Sequence, residues 1–241
     1  MDLTKNVGAP KLTVSSVEQR DTLFRAGRPT PLVDASGQPL RSLYIGTGWT
    51  TQTQKIKIGG IKIGSRKKRA DYDAVLHIVN EVAGRLGVAG TSNGDDGNRD
   101  LYNGAFIHSA DDTSGATRGD DYDNEWVRVN FAKIPSDIIG FVAMFDAADD
   151  APFSSLSRAH CKVQDEDTGR EIYTVRPQIS QVGTNTMAMM AVVREKKVFD
   201  GGVEGYSSTN WVARLIPEPI TTEGNDGLLT ASVRMIERIS Q

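Results

Sequence analysis

DDTSGATRGDDYDNE, residues 111–125, runs directly into WVRVNF, residues 126–131. The second part alternates. Val127, Val129 and Phe131 fall on one side, and Trp126, Arg128 and Asn130 on the other. A period of two marks a half-buried strand, so the chain is read as β-structure here. The first part holds six carboxylates, two glycines and one asparagine. Each pair of like charges at ~4–5 Å costs on the order of 1–4 kcal/mol, depending on screening. A loop so charged, beside a strand, points to a neutralising cation. Oxygen donors one and two residues apart, with Gly115 and Gly119 for sharp turns, suit Ca²⁺, which takes about 6–8 oxygens in flexible geometry. A solvated acidic loop is the plain alternative. On the cation reading, neutralising Asp123 and Glu125 relieves repulsion in the metal-free chain.

Strands are expected on both sides of this stretch. Downstream, IIGFVAMFD (138–146) is apolar almost throughout and reads as a strand buried on both faces. Residues 157–165 alternate, turn at DEDTG (165–169) and pair with 170–177. Residues 186–195 (TMAMMAVVRE) and 198–206 add further strands, with Met187, Met189 and Met190 read as core. Upstream, 101–108 reads as one strand and TSNGDDGNRD (91–100) as a second acidic turn. Residues 81–88 read as a helical turn or a loop. DYDAVLHIVN (71–80) reads as a buried strand opened by two aspartates, and RSLYIGTGW (41–49) as a strand ending at glycines.

QKIKIGGIKI (54–63) alternates across Gly59-Gly60, the pattern of a hairpin with a two-residue turn. As an exposed edge, it and the N-terminal arm are expected to mediate self-association. The run Arg66-Lys67-Lys68-Arg69 is either a solvated loop or a contact for phosphate or an acidic partner. Many short strands joined by Gly, Asp and Asn turns indicate an all-β, two-sheet sandwich. Residues 1–40, with four prolines, read as an irregular arm with a short strand at 11–15 and a short helix at 16–24. The sandwich is placed at 41–214 and a tail at 215–241, whose LLTASVRMIERIS (228–240) fits either a strand or a helix.

Composition narrows the function. With 28 basic and 31 acidic residues the net charge is −3, which argues against general nucleic-acid binding. The single cysteine, Cys161, excludes an intrachain disulfide. No apolar run reaches the ~18 residues of a membrane span. MDLTKNVGAPKLTV at the start lacks an apolar segment after its lysine, so no secretory signal is expected. The expected address is the cytoplasm of a cell or of an infected host. His77, His108 and His160 lie on separate strands, without metalloprotease spacing. Neither a nucleophile elbow, a phosphate loop nor a dinucleotide fingerprint occurs. An enzyme is therefore not expected.

Taken in order, GTGW (46–49), DYDAVLHIV (71–79), HSADDTSG (108–115) and GDDYDNEWVRV (119–129) with Ile134-Pro135 resemble the TerD-type proteins of bacterial tellurite-resistance and stress operons. Members of that family carry a GxGW strand end, a DLDAS-type strand opening, a GDNxxG turn and a GDGDDE loop before a V-x-V strand. FVAMFDAADD (141–150), the hairpin of 159–173 and the strand of 186–193 extend the resemblance over residues 41–211. The resemblance implies a non-catalytic, Ca²⁺-binding β-sandwich that acts through protein partners. It implies as ligands Asp71, Asp73, Asp111, Asp112, Asp120, Asp121, Asp123, Asn124 and Glu125, with the glutamate bidentate. This chain has Ala110-Asp111-Asp112 where the family has GDN, an additional Tyr122, and Thr50 after the tryptophan. It also has the 54–69 insertion. The arm, insertion and tail favour an alternative, a structural assembly subunit such as a virion or tail component, clasping its neighbours by strand addition.

Overall fold

A computed structural model describes residues 29–51, 53–58, 60–67, 71–94, 99–113, 115, 122–147, 153–176, 186–220 and 224–240. The expected strand at 11–15, the helix at 16–24, and Asp120 and Asp121 lie outside the described residues.

Two antiparallel six-stranded sheets face each other. The first contains β1 (Thr30–Pro31), β5 (Tyr72–Val82), β6 (Arg85–Ser92), β10 (Ile138–Ala147), β13 (Thr186–Val198) and β14 (Glu204–Ile220), in the spatial order β1-β14-β13-β10-β5-β6. The second contains β2 (Ser42–Thr51), β7 (Asp100–Leu101), β8 (Phe106–His108), β9 (Glu125–Asn130), β11 (Leu156–Asp165) and β12 (Glu171–Val175), ordered β12-β11-β2-β9-β8-β7. Strands β3 (Thr53–Ile58) and β4 (Ile61–Lys67) form a separate hairpin between β2 and β5.

The core between the sheets follows the alternation seen in the sequence. Leu43, Ile45, Val127, Val129, Cys161 and Val163 project from the second sheet onto Leu76, Ile78, Phe141, Phe145 and Met189 of the first. Tyr72, Phe145 and Phe153 pack there as tilted rings with centroids 5.2–5.3 Å apart. Leu32 and Leu40, from the segment read as an arm, also belong to this core.

The segment left open between strand and helix is helical. Helix α1 (Gly224–Ser240) lays Met235, Ile236 and Ile239 over Val79, Val142, Met144, Ala191 and Ile216 on the outer face of the first sheet. This second apolar layer explains why β10 is buried on both faces, as its unbroken apolar run implies. Asp226 in the first helical turn and Arg238 in the last both complement the helix dipole. Among the described residues no helix is long and apolar enough to cross a membrane.

Three local readings are corrected. Residues 198–206 are not one strand: 199–203 turn β13, which ends at Val198, back into β14, which starts at Glu204, and the Phe199 N–H donates to the Val203 carbonyl at 2.8 Å. Residues 81–88 are neither helix nor loop. They belong to the β5–β6 hairpin, whose turn residues Ala83 and Gly84 have φ of +52° and +74°. A two-residue turn with both φ positive matches the twist of the paired strands. Likewise 101–108 is not one strand. Tyr102, Asn103 and Gly104 have φ of +54°, +54° and +81°, and they fold β7 back onto β8.

Arg194 braces the end of the sandwich remote from the acidic loop. It is 4% exposed and donates to the carbonyls of Ile134, Pro135, Ile138, Ser207 and Ser208. Its guanidinium lies 4.4 Å from the Trp211 ring centroid. Five N–H donors in a rigid fork suit such a cage of carbonyls.

Candidate metal centre

The acidic loop leaves β8 at His108 and returns into β9 at Glu125, at the end of the sandwich where β2 finishes and β5 begins. Each of Asp71, Asp73 and Asp111 offers a carboxylate oxygen, and the three oxygens lie within 4.8 Å of one another. Oxygens bound to one Ca²⁺ sit about 2.3–2.6 Å from it, hence no more than about 5 Å apart. The three aspartates meet that condition with hard oxygen donors. This group is able to hold a metal ion.

The cluster exists because the two sheets are tied together beside it. β6 ends at Ser92, which pairs with Leu76, so the outward peptide groups of Ala74 have no strand neighbour. Glu125 and His108 take them. The Ala74 N–H donates to Glu125 Oε2 at 2.8 Å, and the Ala74 carbonyl meets His108 Nε2. Glu125 Oε1 accepts the Asp112 N–H at 3.0 Å. One buried glutamate thus fixes the strand carrying Asp73 and the loop carrying Asp111. Burial drives its carboxyl up to about 8; the Ala74 and Asp112 amides oppose that rise, and the Asp73 and Asp111 charges add to it. Burial thus favours the neutral carboxyl of Glu125 in the metal-free chain.

The neighbouring residues shape the loop. Asn124 Oδ1 accepts the Trp49 N–H at 2.8 Å, and its Nδ2 donates to Asp112 Oδ2 at 3.1 Å. Asp123 turns away from the aspartate cluster and lies across the outer face of the second sheet. His160 Nε2 contacts its Oδ1 at 2.8 Å. Lys162 Nζ and Tyr44 Oη reach its Oδ2 at 2.7 and 2.9 Å. Burial raises the Asp123 pKa, but hydrogen bonds from His160, Lys162 and Tyr44 outweigh that and hold it below the ordinary carboxylate value. The six carboxylates are thus not one mutually repelling set.

Glycines let the loop approach. A Cβ on Gly46 would collide with the Asp123 carboxylate, and one on Gly48 with the His160 ring and the Tyr122 carbonyl. This is the physical content of the GTGW motif: the bare strand is the bed on which residues 122–124 lie. At Gly115, φ is +53° and a Cβ would stand 2.5 Å from Trp49 Nε1. A Cβ on Gly94, in the second acidic turn, would stand 2.9 Å from Asp111 Cβ.

Of the expected ligands, the structure therefore gathers Asp71, Asp73 and Asp111. It sets Asp112 beside them, commits Asn124 and Glu125 to the backbone around them, and engages Asp123 elsewhere. The sequence reading did not anticipate Tyr44, His160 and Lys162. Their available signal was the alternation of β11, which puts His160 and Lys162 on one face. Cys161, between them, points inward and is inert; burial, then the Asp123 charge, raises its thiol to about 12.

An antiparallel two-sheet sandwich, with an acidic loop pinned across one end and able to hold a hard cation, is the class that this geometry defines. The TerD domain profile matches residues 25–208, and the chain belongs to that family. It is 26% identical over 157 residues to the tellurium resistance protein TerZ of Serratia marcescens, covering 64% of this chain and 74% of that one. Its fold is similar to the crystal structure of a homologue of the telluride resistance protein TerD from Streptomyces coelicolor A3(2). That match has a TM-score of 0.53 and 12% identity, over 80% of this chain and 96% of the other. A solved protein of unknown function is similar at a TM-score of 0.52 and 11% identity, over 82% and 98% of the two chains.

Proposed function

We propose that the chain is a cytoplasmic Ca²⁺-binding module of the tellurium-resistance and stress-response type, acting through protein partners rather than by catalysis. The observation that carries this reading is the convergence of Asp71, Asp73 and Asp111 within 4.8 Å on a rigid frame. These three hold the ion, with Asp112 and the loop carboxylates Asp120 and Asp121 completing its oxygen shell. Glu125 braces the backbone on either side, while Asp123 and Asn124 set the path of the loop. Ca²⁺ is favoured over Mg²⁺ because a broad set of loop oxygens suits flexible coordination, whereas Mg²⁺ keeps several waters and demands octahedral geometry. The histidines support a non-catalytic role. His77 is paired with Ser232, His108 with main-chain carbonyls, and His160 with Asp123.

Melting curves test the proposal. A ligand that binds only the folded chain adds about 2.7 kcal/mol at ~100 times its dissociation constant. For a chain of this size that raises the midpoint by roughly 5–11 °C. Ca²⁺ is expected to produce that rise after chelator treatment, Mg²⁺ a smaller one, and NaCl of matched ionic strength almost none. If NaCl does as much as Ca²⁺, the loop is merely acidic and the reading fails.

A further inference from the structure

Among the described residues, the hairpin β3–β4 contributes no side chain to the sandwich core or the acidic centre. Its register sets Ile58 opposite Ile61 and Lys57 opposite Lys62. The register shifts between Ile56 and Lys57, where Ile56 faces Gly64 and Ile63 is the extra residue; alternation along each strand still puts Ile56 with Ile58, and Ile61 with Ile63, on one face and the two lysines on the other. The four isoleucines are 42%, 67%, 71% and 58% exposed, so among the described residues nothing covers that face. Residues 50–70 carry seven lysines and arginines and no acidic residue, in a chain whose net charge is −3. The hairpin lies in the chain between the end of β2 and the start of β5.

We infer that this hairpin docks on a membrane surface carrying anionic lipid, with its isoleucine face entering the boundary between headgroups and acyl chains. Interfacial elements combine an apolar face with attraction of Lys and Arg to anionic headgroups. Both are present within one hairpin. The methylene stems of Lys57 and Lys62 are long enough to lie along the ribbon while their ammonium groups stay among headgroups. A second copy fits less well, because packing two isoleucine faces together brings two segments of seven cations and no carboxylate side by side. Nucleic acid fits less well too. Phosphate contacts leave four isoleucines in water, and residues 50–70 contain no aromatic ring for a base to stack on.

Co-sedimentation of the full chain with vesicles, in chelator, tests the inference without involving the metal reading. Vesicles of equal parts phosphatidylserine and phosphatidylcholine are expected to carry the chain down. Pure phosphatidylcholine vesicles are expected to hold it about tenfold less well or worse. Ile58→Ser with Ile61→Ser, and separately Lys57→Glu with Lys62→Glu, are each expected to weaken sedimentation about tenfold or more. Both double variants should melt with the parent, since the altered side chains are exposed. The inference is overturned if the parent stays in the supernatant with both vesicle types. It is equally overturned if the serine variant sediments like the parent, or if that variant melts lower, which would mean the isoleucines pack on the chain itself. A dimer seen by light scattering, absent from the vesicles and abolished by the serine substitutions, assigns the face to a second copy instead.

Discussion

Asp123→Asn separates a loop held by its partners from a loop strained by its charge. If the six carboxylates of 111–125 only repelled one another, removing a charge would raise the melting point of the metal-free chain. The structure reverses that expectation for Asp123. Its carboxylate is 7% exposed and sits 2.7 Å from Lys162 Nζ, 2.8 Å from His160 Nε2 and 2.9 Å from Tyr44 Oη. Asparagine keeps one acceptor oxygen, loses the charge, and turns an amide NH₂ towards a cation or a hydroxyl. Breaking a buried ion pair from one side typically costs about 3–5 kcal/mol. Lys162 is 20% exposed and can recover part of its hydration, so the expected loss is about 2–3 kcal/mol. That corresponds to a midpoint lower by roughly 4–12 °C. Glu125→Gln behaves differently. Burial already favours the neutral carboxyl of Glu125, and glutamine keeps an acceptor for one of the two amides. Its expected loss is within about 1–1.5 kcal/mol, the worth of a single hydrogen bond. The assay is thermal unfolding in chelator of the parent, both single variants, and Asp123→Asn combined with Lys162→Met. Removing the stranded cation should restore part of the loss. An Asp123→Asn chain that melts at or above the parent would refute the anchoring argument.

Three other outcomes are expected. His77 is 5% exposed between the first sheet and α1, and burial lowers its pKa to about 4 from an ordinary 6.5. Its contribution is complete above pH ~6.5 and is lost as pH falls towards ~4, amounting to at most about 3.5 kcal/mol at ~1.4 kcal/mol per unit; His77→Gln should flatten this limb of the stability–pH curve, and an unchanged limb would assign it elsewhere. Arg194→Leu strands five carbonyl contacts and should destabilise by about 3–5 kcal/mol in urea unfolding, whereas a loss below about 1 kcal/mol would mean water replaces the cage. Gly48→Ala pushes the Tyr122 carbonyl and the His160 ring off the second sheet, with an expected loss of about 1–3 kcal/mol and a smaller Ca²⁺ response in the same melts; an unchanged response would detach the GTGW bed from the metal centre.

The period-two strands were legible in the sequence wherever one face meets the core, as in β9 and β11. So was the double burial of β10, because an uninterrupted apolar run needs apolar layers on both sides. The missed hairpins turn through positive φ at Ala83 and Gly84, at Tyr102, Asn103 and Gly104, and at Gly201 and Gly202. Ala83 and Tyr102 do not advertise that backbone region, but Gly84, Asn103-Gly104 and Gly201-Gly202 do, so a turn signal was there to be read. The terminal helix stayed undecided because Leu228, Met235, Ile236 and Ile239 need a sheet to lie on before their spacing has one meaning. At the centre, the acidic loop was legible by composition, but its division was not. Asp111 and Asp123 look alike in a list of carboxylates. What separates them is His160 and Lys162, brought beside Asp123 by pairing β11 with β2. A contact between residues 37 apart, as between Asp123 and His160, leaves no local trace.

Helix α1 has a consequence for how the protein is made. Every strand it covers precedes it in the chain, so on the ribosome the first sheet can assemble before its outer layer exists. During that interval Val79, Val142, Met144, Ala191 and Ile216 form a bare apolar wall. A nascent chain stalled or cleaved before residue 224 would keep that wall in water, with a complete inner core and an intact acidic end. Such a product is a natural client for a chaperone that recognises flat aliphatic surface. A full-length chain would be released from it when seventeen residues, Gly224–Ser240, dock on that wall.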